Sequence, residues 1–378
     1  MKSVNLIFAC FIFLLIVSCK QEPKTIKPGE IWPDNSGVHI NAHGGGILIH
    51  NKTYYWFGEH KTEGKGGNKA NVGVHVYSSK NLTDWKDEGI ALAVVENDVN
   101  HDITKGCVLE RPKVIYNKAT KKFVMWFHLE LKDQGYKAAR TGLAVADKVT
   151  GPYTFVKSLR PNAGKWPVNF TEEQKNAEYD YDMNRWTPEG REAVVNGMFL
   201  KRDFEGGQMS RDMTLFVDDD EKAYHIAASE ENGTLHIREL TDDYLAFTGK
   251  YVRVFPDESN EAPAIFKKDG KYFLFASGCT GWKPNPGRSA VADNIMGPWR
   301  NLGNPFRGTD EEAKTSFRSQ STYVIPVIGK KDAFVYMGDR WMPENAIDGR
   351  YIWLPVQFDE NGSPYIEWIN EWSVDVFD

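Results

Sequence analysis

Five polar residues stand at the same point of a recurring pattern, and their types suit proton transfer. His43, Glu110, Asp212, Glu261 and Gln320 each precede a short strand-like run, a turn, and a second run rich in aromatic residues. Two carboxylates sharing a cleft can divide the work of an acid and its modulator. One is kept protonated by burial and by the charge of the other, and this is the equipment that cleavage of a glycosidic bond requires. Glu261 is the best proton donor of the set, because Ala-Pro-Ala-Ile-Phe follows it and sets its carboxyl against an apolar wall. Asp212, one repeat earlier, would raise its pKa and orient it. The same two residues also fit a structural ion network with Arg111, Arg211 or Arg340.

The elements that must position these residues follow from the repeats. Each repeat is a hairpin whose centre carries turn chemistry (Asn51-Lys52, Asp218-Asp219-Asp220, Asp269-Gly270), followed by a third strand-like run. Gly151-Pro-Tyr153 and Gly297-Pro-Trp299 mark a recurring corner after the second and fourth. Five such units without a long amphipathic helix between them predict an all-β, five-bladed β-propeller. In that fold the first strand of each blade lines the channel, and the second returns to the same mouth. Glu59, Glu130, Glu230, Cys279 with Thr280, and Asp339-Arg340-Trp341 are therefore expected around one funnel with the five strand-start residues. His75, His225 and His236 fall in strand patterns and read as sheet residues. A segment at about 160–207 breaks the rhythm. It carries Trp166, Asp180, Tyr181, Asp182 and Trp186 and is expected to pack as a lid or wall beside one face.

The chain has 378 residues, with 46 basic against 52 acidic side chains and a formal charge of −6. An acidic balance without basic clusters argues against nucleic acid as a partner. The 12 Trp, 16 Tyr and 21 Phe suit packed sheets and equally a face for stacking on sugar rings. The histidines show no metal-ligand spacing, so no metal and no cofactor are expected. At the start, Lys2, an apolar run from Leu6 to Val17, and Ile16-Val-Ser-Cys19 describe an export signal with a lipidation site. Residues 1–18 are expected to be a signal peptide, Cys19 the lipidated residue, 19–36 a linker, and 37–378 one propeller domain. That predicts an exported outer-membrane lipoprotein, a monomer touching the membrane only through its lipid. Lys20-Gln-Glu-Pro lacks a dense acidic run, which favours the periplasmic side. Cys107 and Cys279 read as unpaired thiols.

Ser210-Arg-Asp-Met, Glu261-Ala-Pro-Ala, Glu110-Arg-Pro-Lys and Ser319-Gln-Ser-Thr together resemble family 43 of the glycoside hydrolases, from about Gly37 to the C-terminus. The resemblance implies a five-bladed propeller that inverts the anomeric centre, with Glu261 as acid and Asp212 as its pKa modulator. The family's base Asp in the first blade has no counterpart, since the chain reads Asn41-Ala-His-Gly-Gly-Gly46 there. In this it is similar to the exo-β-1,3-galactanase subgroup. That likeness implies that Gln320 handles the attacking water, as an imidic acid tautomer, and that Glu110 binds sugar or is the next candidate for base. It further implies an oligo- or polysaccharide substrate, galactose released from β-1,3-linked galactan of the arabinogalactan type. His43, Glu59, Arg111, Glu230, Thr280, Trp282, Arg340 and Trp341 are then the residues that bind it. Some family members hold a calcium ion in the channel, which nothing here requires. An α-L-arabinofuranosidase, a β-D-galactofuranosidase and a non-catalytic glycan-binding propeller remain the alternatives.

Overall fold

A computed structural model describes residues 24–178 and 184–378. Cys19, with the signal and most of the expected linker, and Asp180, Tyr181 and Asp182 of the insertion lie outside the described residues.

Short alternating strands joined by tight turns give five antiparallel sheets around a channel. The inner strands are His43–His50, Val108–Asn117, Met213–Val217, Glu261–Lys268 and Gln320–Pro326, opening blades 1 to 5. Each is followed outward by its sequence neighbours, so every blade is a meander. The hairpin turns use left-handed residues where the sequence offers them. Asn51 and Lys52 have φ of 49° and 56°, and Asp269 and Gly270 have 49° and 76°. That geometry matches the twist of the flanking strands. Blade 5 gains a fifth strand, Phe306–Arg307, which pairs in parallel with its outer strand Pro364–Glu367.

Four inner strands carry a register slip near their start, and in three of them it places the polar starting residue. Register slips between His43 and Gly46, Glu110 and Lys113, and Glu261 and Ala264. The residue after each starting residue is left-handed: Gly44, Arg111 and Ala262 have φ of 58°, 55° and 52°. A bulge re-aims side chains at the end of a strand. In each case the freed backbone N–H is taken by a carboxylate of the preceding blade. Asp339 accepts from Gly44 at 2.5 Å, Glu59 from Arg111 at 2.9 Å, and Asp212 from Ala262 at 3.1 Å.

The ring closes between blades 5 and 1 without a shared strand. Side chains carry the junction: Trp353 lies at 5.0, 4.8 and 5.9 Å from the rings of Trp32, Trp56 and Trp85. Residues 24–36, expected as linker, instead form a strap across this junction. Ile26 pairs with Trp372 near the C-terminus, Gly29 N–H donates to Tyr351 O, and Trp32 is buried. The folded unit therefore begins before residue 37.

The segment after blade 2 contains three short helices, α1 (Glu172–Asn176), α2 (Pro188–Val195) and α3 (Met198–Arg202). It packs against blade 3. Val168 N–H donates to Tyr251 O, and Asn169 exchanges two hydrogen bonds with the backbone of Arg253. It thus satisfies the outer strand of blade 3, Phe247–Val254, which would otherwise be a free edge. Trp166 stacks within the insertion on Phe170 and Phe204. Among the described residues none of the insertion lines the polar cavity at the channel mouth, so where a lid or wall was expected the described part covers a sheet edge.

Replacing Trp353 by Ala should lower stability by about 3–5 kcal/mol, the range for deleting a large buried aromatic. Guanidinium unfolding of the purified protein measures this.

Candidate active site

The channel mouth opens into a cavity of about 350 Å³ lined by Glu59, Glu110, Arg111, Asp212, Glu261, Gln320, Trp282 and Trp341, among others. The antiparallel register explains the gathering, because Glu110 stands opposite His128, Glu261 opposite Ser277, and Gln320 opposite Asp339. A larger groove of about 810 Å³ lies beside the strap and Trp85, but it lacks this concentration of buried carboxylates.

Four carboxylates share the cavity, and the cations beside them are unevenly distributed. Glu59 pairs with Lys61 at 2.6 Å, Asp212 with Arg111 at 2.9 Å, and Glu110 with His128 at 3.0 Å. Burial pushes Glu59 up from the ordinary carboxylate range against the pull of Lys61. Glu110 lies below that range, because His128, and behind it Lys61 and Arg111, outweigh its desolvation. Its second oxygen accepts from Tyr136 at 3.0 Å. His128, held between Glu110 and Glu130, is lifted to about 9 despite its burial and is an imidazolium at neutral pH. Glu261 has no cation in contact. Its Oε1 accepts from the Asn232 amide at 2.6 Å and the Cys279 thiol at 3.1 Å, both neutral donors. Burial first, and the Asp212 anion second, raise it to about 7. That puts Glu261 in the range where a group can donate a proton at neutral pH.

Gln320 is held on both ends. Its Oε1 accepts from Arg111 at 2.5 Å and from the Trp341 indole at 2.9 Å, while its Nε2 donates to Ser277 at 2.9 Å. Arg111 also lies 5.2 Å over the Trp341 ring. Trp341 and the exposed Trp282 meet edge to face at 5.9 Å, and together they give the cavity an aromatic rim.

Glu110, His128 and Asp212 bring ligand-type atoms within 4.8 Å of one another, a grouping that sequence spacing did not disclose. The guanidinium of Arg111 and the protonated ring of His128 already balance the two carboxylates, so a cation there would have to displace both.

Four residues expected at the substrate do not line this cavity. Glu230 is fully buried and bonded to Arg253, His236 and Thr234, with its carboxyl depressed to about 2 chiefly by Arg253. Arg253 in turn donates to the carbonyls of Val194 and Val195 at the end of α2, so Glu230 anchors the insertion. Strand alternation fails here because Glu230, Glu231 and Asn232 are all left-handed, with φ of 51°, 54° and 64°. The turn buries Glu230 and sends Asn232 to the cavity instead. His43 is buried, stacked on Tyr351 and 3.9 Å from Asp339, with burial holding it neutral. Thr280 bonds within its own turn to Lys283 O. Arg340 reaches Phe317 O and lines a neighbouring pocket of about 190 Å³ that shares Gln320, Trp282 and Trp341 with the main cavity. Asn232, Tyr136 and His128, conversely, were not singled out. Asn232-Gly233 is a turn signal, and His128 alternates with Glu130 on one strand.

Among known proteins, the model of the family described as glycosyl hydrolases family 43 matches residues 196–364. A family 43 β-1,3-galactosidase solved with galactodeoxynojirimycin is 54% identical over 92% of this chain and 100% of its own, with a TM-score of 0.87. The exo-β-1,3-galactanase of Phanerochaete chrysosporium, solved with β-1,3-galactotriose, is 31% identical over 93% of this chain and 68% of its own, with a TM-score of 0.73. That of Clostridium thermocellum is 33% identical over 92% and 66%, also with a TM-score of 0.73. No curated protein sequence matches the chain.

Two outcomes separate the roles described. Asp212→Asn removes the anion that helps keep Glu261 protonated. Glu261 should then ionise at lower pH, and the alkaline limb of the kcat/KM profile should move down. Glu230→Ala leaves Arg253 buried and unpaired and should cost about 3–5 kcal/mol of stability in denaturant titration. A residue that only held substrate would raise KM and leave stability unchanged.

Proposed function

Because the chain belongs to family 43 of the glycosyl hydrolases, we propose that it is an exo-acting β-1,3-galactosidase. It would release galactose from the ends of β-1,3-linked galactan such as the backbone of arabinogalactan. The observation that carries the reading is Glu261: a buried carboxyl raised to about 7, with neutral donors on Oε1 and the anion of Asp212 nearby. The similar proteins solved with galactodeoxynojirimycin and β-1,3-galactotriose supply the sugar.

In this reading the terminal sugar lies in the cavity with an apolar face against Trp341 and Trp282. Glu261 gives its proton to the glycosidic oxygen as the bond to the anomeric carbon breaks. Water attacks that carbon from the opposite side, so configuration is inverted. Gln320 and Glu110 guide the water. Gln320 is fixed by Arg111, Trp341 and Ser277, while Glu110 is the ionised carboxylate that can receive its proton. Arg111 ties the two halves of the site together, bonding Asp212 and Gln320 from opposite blades. The expected export signal and lipidated Cys19 would put this activity outside the cytoplasm.

Incubation with arabinogalactan and with its debranched β-1,3-galactan core, followed by sugar analysis, tests the substrate. Galactose should be the monosaccharide released, faster from the debranched core. Arabinose as the first product would point to an arabinofuranosidase, and binding without turnover to a lectin-like propeller. Proton NMR during the first turnovers should show the α-anomer of galactose. Glu261→Gln should reduce kcat by about 10²–10⁴, the range for losing a general acid.

A further inference from the structure

A thiol touches the carboxyl that we read as the acid. Glu261 stands opposite Ser277 across the hairpin of blade 4, so the chain just past Ser277 returns to it. Cys279 Sγ lies 3.1 Å from Glu261 Oε1, and Asn232 Nδ2 lies 2.6 Å from the same oxygen and 3.6 Å from the sulfur. Burial and the neighbouring Glu261 lift the thiol to about 12, so it keeps its hydrogen at neutral pH. The amide N–H can only donate.

Two donors converge on Oε1, which therefore acts as the accepting, carbonyl-type oxygen of the protonated carboxyl. The acidic hydrogen is left for Oε2. We propose that Cys279 is a positioning residue for the acid. With Asn232 it fixes the transferable proton on Oε2 and stabilises the carboxylate that remains after the proton is given up. The proposal rests on the reading of Glu261 as the acid.

The direction of its effect is defined. A donor to Oε1 favours the charged form, so Cys279 opposes the burial and the Asp212 charge that hold Glu261 protonated. The other charged groups facing Glu261 are Arg111 and Glu110 from the inner strand of blade 2, and Arg288 from the third strand of blade 4, Arg288–Ala292. Cys279 keeps its hydrogen at neutral pH, so its replacement takes no charge from this set. Because S–H is a weak donor, its removal should shift the titration by only about 0.5–1 pH unit, a fraction of a charge-assisted hydrogen bond.

The test compares kcat/KM against pH for the native enzyme, Cys279→Ala, Cys279→Ser and Glu261→Gln on one β-galactoside. The alanine variant should move the alkaline limb up by about 0.5–1 pH unit, with kcat reduced a few-fold and KM little changed. Serine, whose hydroxyl donates in the same place, should bring the limb back to the native position or below it. Isotope-edited infrared titration of the Glu261 carboxyl, located by difference from Glu261→Gln, should show the same order without relying on turnover. An unmoved limb and carboxyl titration in the alanine variant overturn the proposal while leaving Glu261 as the acid. So does an upward shift that serine fails to reverse. Full activity in Glu261→Gln removes Glu261 from that role, and the proposal falls with it.

Discussion

The interaction on which the site depends is a carboxylate reaching from one blade to a backbone N–H of the next. Asp339 to Gly44, Glu59 to Arg111 and Asp212 to Ala262 are the same contact made at three junctions. Each is needed because a bulged, left-handed residue frees an N–H that no strand neighbour can take, and an unpaired buried N–H is costly. The contact joins blades at the depth where the polar residues gather, and it fixes one oxygen of each acid. Asp212 illustrates the economy of the device, since the oxygen that accepts from Ala262 also receives Arg111 and sits beside Glu261.

With the carboxylates fixed in this way, burial raises Glu59 and Glu261 while His128 draws Glu110 down. Lys61, His128 and Arg111 each contact a different acid, and Glu261 meets only an amide and a thiol. The difference between acids of the same chemical type is therefore a matter of neighbours. The first blade contributes by what it lacks. A Cβ at Gly44 would come within 2.3 Å of Glu59, and one at Gly46 within 2.4 Å of Lys113. The glycine run thus opens the space in which Glu59, and the buried amino group of Lys113 with its bond to Gly44 O, are housed.

Much of this was legible in the sequence because propeller blades are local. A hairpin turn such as Asp269-Gly270 and an apolar strand on either side can be read within a few residues, and so can the polar residue that opens the unit. Glu261, Asp212, Glu110 and Gln320 were all found in that way. The contacts between blades were not legible. Nothing in the spacing of Asn232 and Glu261, or of Arg111 and Gln320, announces that they touch. Period-two reasoning failed where the backbone left the strand conformation. The three left-handed residues from Glu230 to Asn232 exchange inside for outside, and Thr280 and Arg340 turn to satisfy neighbouring carbonyls. The insertion misled for a related reason. Its aromatic residues signalled a packed structure, but not which surface it would cover.

The closure between blades 5 and 1 has a consequence for the timing of activity. Gln320 and Trp341 come from the last blade of the chain, whereas their partner Arg111 belongs to the second. No shared strand draws the ends together, so they meet through the tryptophan cluster and the pairing of Ile26 with Trp372. A chain still lacking its final blade leaves Arg111 without Gln320 and Trp341. In the proposed reading such a chain lacks a residue that guides the attacking water and would not turn over. In that reading the cavity is complete only once the two ends of the propeller have met.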